Sequence, residues 1–208
     1  MTSKHSPARR TLAVAAAGAA ALVLAACGGG SDTSSGHGGH AAATPSTAAS
    51  AAQGRHNAAD VTFAKGMIPH HRQAVEMAEL AATRAESPEV RKLAEDIRKA
   101  QGPEIRTLSG WLSSWGEDIP AEGGADHAAH GAEGMMSARE MARLEKSSGK
   151  AFDTAFMELM IEHHEGAVAM AEAERAGGAD AAAKQLAGDI VTAQTGEISL
   201  MKKLLGQG

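Results

Sequence analysis

From Asp60 onward the apolar side chains recur every three or four residues, as in Val90, Leu93 and Ile97 and again in Ile105, Leu108 and Leu112. That spacing predicts helices with one buried face; no stretch shows the strict alternation of a half-buried strand. The pattern also repeats itself. At an offset of 93 residues Asp60 falls on Asp153, Phe63 on Phe156, Met67 on Met160, and His70-His71 on His163-His164. Ala74-Val75 meets Ala167-Val168, Met77-Ala78-Glu79 meets Met170-Ala171-Glu172, Leu93-Ala94 meets Leu186-Ala187, and Gln101 and Glu104-Ile105 meet Gln194 and Glu197-Ile198. An ungapped match of this length predicts one duplicated unit.

Each unit reads as a helical hairpin. The first helix runs from about Asp60, a candidate N-cap, to Arg84. Ser87-Pro88-Glu89 opens the second, with serine at the cap and proline in the first turn. In the second unit Gly177-Gly178 breaks the chain and Asp180 opens the last helix. Ser137-x-x-Glu140 has the form of a capping box for a short extra helix between the repeats, ending near Gly149 and packing across one end of the bundle. Pro69 and Gly102-Pro103 fall inside helices, and Pro69 is expected to kink the first just before its histidines. The expected fold is therefore all-α, a four-helix bundle of two αα-hairpins, repeat 1 over about 60–115 and repeat 2 over about 152–206, within a bundle domain at 59–208.

The residues before the bundle read differently. Arg9-Arg10 precede a short apolar run ending in Leu24-Ala25-Ala26-Cys27, followed by three glycines. Residues 1–26 read as a secretory signal and Cys27 as the lipid-modified first residue of the mature chain, anchored to the outer face of a bacterial cytoplasmic membrane. Residues 27–58, rich in Gly, Ser, Ala and Thr, bury too little surface to offset their chain entropy and read as a disordered tether. Cys27 is the lone cysteine, which excludes an intrachain disulfide and a thiolate site in the bundle. Removing residues 1–26 takes away three cations and no acid, moving the net charge from −5 to −8. That balance argues against nucleic acid as a partner and suits cations.

The chemistry sits on the core face. At about 100° per residue, Met67, His70, His71, Ala74 and Met77 occupy one sector of the first helix, as do Met160, His163, His164, Ala167 and Met170 of its repeat. A chain with ten methionines and ten histidines beside three phenylalanines, two tryptophans and no tyrosine has not used methionine only for bulk. Methionine at this spacing is ordinarily adaptable core filling. Four inward imidazoles without partners would be costly, and coordination would satisfy them. The Glu-x-x-His pairs of di-iron bundles are missing, zinc gains little from thioethers, and Met with His selects copper, thioether favouring Cu(I). Gln101, Glu104, Gln194 and Glu197 are candidates to hydrogen-bond the histidines or to pin helix contacts. His37, His40, His127 and His130, the last two near Met135-Met136, either capture copper weakly or are solvated loop residues.

The run Phe-Asp-x-x-Phe-x-x-x-Met-Ile-x-His-His-x-x-Ala-Val-x-Met-Ala from Phe152, followed by Gln194-x-x-Glu197-Ile198-x-x-Met201, resembles an extracytoplasmic helical-bundle family long catalogued as a domain of unknown function, which includes CopM-type copper-binding proteins. The likeness covers Asp60–Trp115, Met136–Leu144 and Phe152–Met201. It implies a ferritin-like bundle and a role in copper binding or resistance. Leu108 stands where the family pattern has methionine, and Asp60 lacks the phenylalanine that precedes Asp153. Three functions follow: a lipid-anchored protein that sequesters or hands on Cu(I), a metal-dependent oxidase of cuprous ion or a small reductant, and a purely structural envelope module. Association with a second copy is left open.

Overall fold

Five helices follow one another in the computed structural model, which describes residues 56–122 and 134–207. They are α1 (Ala58–Arg84), α2 (Pro88–Trp115), α3 (Ala138–Lys146), α4 (Gly149–Gly177) and α5 (Ala181–Leu204). Among the described residues there is no strand. Helices α1 and α2 form one hairpin and α4 and α5 the other, and the hairpins meet most closely where α1 packs on α4. The result is a four-helix bundle, with α3 placing Met141 and Leu144 against Ala85, Val90 and Phe152 at one end. The signal segment, Cys27, the tether through residue 55, and His37, His40, His127 and His130 lie outside the described residues.

The helix starts follow their capping chemistry, with one correction. Asn57, not Asp60, caps α1: its side chain accepts from the amides of Ala59 and Asp60 at 2.7 and 3.2 Å. Asp60 instead sits one turn inside and closes a capping box by accepting from the Asn57 amide. Ser87, Asp180 and Ser137 cap α2, α5 and α3, and Glu140 completes the box of α3. That short helix stops at Lys146, before the expected Gly149, which with φ +61° instead opens α4. Neither Pro69 nor Gly102-Pro103 ends its helix; α1 and α2 continue through both.

Asp60 and Asp153 do more than cap. Each is buried near the start of the first helix of its repeat, and each receives the turn of the opposite hairpin. Asp153 accepts from the amides of Glu86 (3.1 Å) and Ser87 (2.8 Å), between α1 and α2. Asp60 accepts from Ala179 (3.1 Å) and Asp180 (2.9 Å), between α4 and α5. The two clasps fix α1 and α4 antiparallel, and orphan amides of the α2 and α5 starts gain partners. At the second clasp Glu174 is buried over Gly178, where an added Cβ would lie 2.0 Å from its carboxylate. Burial and the adjacent Asp60 push the Glu174 carboxyl up to about 7. Burial would raise Asp60 too, but hydrogen bonds from the Asp180, Asn57 and Ala179 amides bring it below its ordinary value.

Candidate metal centre

Helices α1 and α4 pack against each other, and the small residues Ala64 and Ala74 of α1 and Ala167 of α4 are buried. Into that contact the sequence directs its histidines. His70 and His163 face each other with ring centroids 3.7 Å apart, so the two copies of one repeat position meet at the junction. His71 and His164 lie beside them, and all four side chains are completely buried. Together with Gln101 and Gln194 they form a polar layer, with one apolar cluster toward α3 and another toward the start of α1.

The glutamates hold two of the rings. His71 Nε2 lies 2.6 Å from Glu104 Oε2, and His164 Nε2 lies 2.6 Å from Glu197 Oε2. A carboxylate only accepts, so each Nε2 donates and Nδ1 is the ring nitrogen left for another partner. Both Nδ1 atoms are buried without a hydrogen-bond partner among the described residues. That is costly for an imidazole left alone, and it is the arrangement in which a carboxylate orients a metal-binding histidine. Burial, followed by the neighbouring His70, His164 and His71, drives His163 well below its ordinary value, so its ring is neutral. A neutral ring is the form that binds a metal. Among the described residues no three His, Cys, Asp or Glu side chains are grouped to hold an ion by themselves. The donor set fits a soft ion drawing on thioethers and imidazoles better than a hard one.

The methionines are regrouped relative to the sequence. Met77 of α1 shares an apolar cluster with Met160 of α4, and Met201 and Met157 join them. Met67 of α1 lies in the other cluster, with Met170 of α4 packed at its edge and Leu108 where the first cluster has Met201. Each side of the histidine layer therefore draws thioethers from both helices, not from one. Met67, Met77 and Met160 are fully buried. Met170, expected on the core face, is instead only partly buried and lines a surface cleft beside Gly66. The Oε1 atoms of Gln101 and Gln194 are buried without a hydrogen-bond partner among the described residues.

Three features were missed from sequence. Met201 lies in the Met77–Met160 cluster, a placement that its helical register with Glu197 signals. The Asp60 and Asp153 clasps had a sequence signal in their equivalence, but not in their partners. Arg72 and Gln73, next to the first histidine pair, fasten both flanks of the α2–α3 connection: Arg72 donates to the Pro120 carbonyl, and Gln73 exchanges two bonds with the Met136 backbone.

The family described as a domain of unknown function, DUF305, matches residues 60–205. A DUF305 protein of Streptomyces coelicolor, described as secreted, is 35% identical, with a TM-score of 0.65 over 72% of this chain and 93% of that one. A DUF305 fragment from Deinococcus radiodurans is 34% identical, with a TM-score of 0.64 over 73% and 98%. CopM in its Cu(I)-bound form is 32% identical, with a TM-score of 0.59 over 70% and 94%. CopM has also been solved with Ag, with Cu(II) and in the apo form. No curated protein matches the chain.

Proposed function

The chain belongs to the DUF305 family, and from that membership and the geometry we propose that it is a copper-binding protein that sequesters or hands on Cu(I) outside the cytoplasm. The observation that carries the reading is the buried junction itself. Four imidazoles meet at the α1–α4 contact, the Nδ1 atoms of His71 and His164 have no hydrogen-bond partner among the described residues, and methionine clusters flank the layer on both sides. His70, His71, His163 and His164 would supply imidazole, and Met67, Met77 and Met160 thioether; Met170 contributes from the surface. Glu104 and Glu197 hold the tautomers. A bound ion supplies the positive charge that the inward lone pairs lack, so metal uptake replaces a burial cost with bonds. The similarity to CopM, solved with Cu(I) and with Ag, supports a soft monovalent cargo.

The location is part of the proposal: Cys27, lipid-modified after cleavage, would tether the bundle to the membrane surface. No described helix is long and apolar enough to cross a membrane. The test is competition. The protein should take Cu(I) from a chromogenic chelator and prefer it to Zn²⁺ by orders of magnitude; equal preference, or zinc winning, would replace this reading with a histidine-only site.

A further inference from the structure

The two halves are alike at the histidines and unlike at one end of the α1–α4 contact, and the difference is systematic. Met77 and Met170 are equivalent positions in the repeat, yet Met77 is fully buried while Met170 is partly exposed. Phe152 belongs to the same apolar cluster as Met77, and Leu80 and Leu159 pack against that cluster. At the 93-residue offset these three correspond to Ala59, Ala173 and Gly66. Three large apolar residues on one side are thus three small ones on the other, and the space they vacate is a cleft of about 390 Å³ lined by Ala59, Phe63, Gly66, Met170, Ala173 and Glu174. A Cβ at Gly66 would sit 3.4 Å from the Met170 sulfur, so the thioether lies directly across the missing side chain. A fourth difference points the same way: Glu174 in the cleft replaces Ala81 on the closed side.

We infer that this cleft is the way in for the metal, a binding site for a soft monovalent cation in transit, with Met170 as its first protein ligand. The inference rests on the copper reading and adds a route to it. A thioether in a largely apolar cleft suits a soft cation better than an organic anion or a hard ion. Behind the cleft, Met170 packs against the cluster that holds fully buried Met67, next to Gly66 in sequence and one helical turn before His70. Met170 itself stands seven residues from His163, about 10 Å along α4. Each transfer is a ligand exchange: one bond from the ion to its carrier breaks as one to sulfur forms, and the ion keeps its charge and oxidation state. On the closed side Met77 is fully buried, and Leu80 and Leu159 pack against its cluster.

The experiment restores the closed side's residues to the open one. Gly66→Leu with Ala173→Leu fills the cleft without replacing a histidine or a methionine. Cu(I) held by bicinchoninate is mixed with the protein without oxygen, and the loss of chelator colour is followed in time. The double variant should load at least tenfold more slowly and reach the parent's final copper content. Gly66→Ala, which adds only an ordinary contact, serves where the double variant fails to fold and should slow loading several-fold. Met170→Leu keeps the volume and removes the sulfur, and should slow loading as well. Filled-cleft variants that load at the parent's rate would overturn the cleft and leave the copper site standing. An unchanged rate in Met170→Leu would overturn Met170 as first ligand. A parent protein that takes up no Cu(I) would overturn both the copper reading and this route.

Discussion

His71 and His164 each hold a glutamate oxygen at 2.6 Å on one side of the ring and have no hydrogen-bond partner among the described residues on the other. A histidine kept only for structure would gain from two partners, since a buried ring nitrogen without one costs about 1–3 kcal/mol. The glutamates lie on α2 and α5 while the histidines lie on α1 and α4, so each hairpin orients its own ring. If the carboxylates set the tautomer for a metal, Glu104→Ala or Glu197→Ala should weaken Cu(I) binding about 10- to 100-fold, with loss of about 1–2 kcal/mol in the apo protein. Chelator competition alongside denaturant unfolding checks this. An apo protein destabilised as expected but with unaltered copper affinity would mean that the pairs serve packing alone.

At the scale of elements, the turn-to-helix clasps set the pH response. Glu174 has a folded-state value of about 7 against an ordinary 4.5. Between those values the folded protein holds the proton more tightly than the unfolded chain does. Its contribution is therefore fully present below about 4.5, declines as pH rises, and is lost by about pH 7. Asp60 acts in the opposite sense: its lowered value stabilises the fold above 3.8 and that gain is lost as acid titrates it. Glu174→Gln should flatten the decline and leave the variant more stable than the parent at pH 8, by on the order of 2 kcal/mol. Thermal unfolding from pH 4.5 to 8 measures it, and parallel profiles would refute the buried acid pair. Of these features the helices, the caps at Ser87, Ser137 and Asp180, and the inward histidine face were legible from spacing and cap chemistry. The clasps and the methionine groups were not, because an offset pairs equivalent residues, whereas an antiparallel contact joins equivalent ones only at its centre, as at His70 and His163, and non-equivalent ones away from it. Met77 thus shares a cluster with Met160 rather than Met170, and Asp60 meets Ala179 rather than Asp153.

For the whole molecule, two questions remain open to experiment: where it sits, and how many centres it has. If Cys27 carries the lipid, Cys27→Ser should move the protein from the membrane fraction to the soluble one in the absence of detergent, and a variant that stays would refute the anchor. The number of centres follows from the junction. Two separate sites, one per repeat, would let His70→Ala with His71→Ala remove half of the copper and leave the other half unaffected. The structure places His70 against His163 at 3.7 Å and draws each methionine cluster from both helices. Neither half can then be emptied without disturbing the other. Either double variant, His70→Ala with His71→Ala or His163→Ala with His164→Ala, should therefore abolish more than half of the tight Cu(I) binding while leaving helicity nearly intact. Copper should also raise the parent's melting temperature and fail to raise that of either variant, since an ion that binds only the folded state stabilises it by mass action. Removal of exactly half by each pair, with the rest bound at parental affinity, would establish independent sites and show that the contact between the two rings is packing.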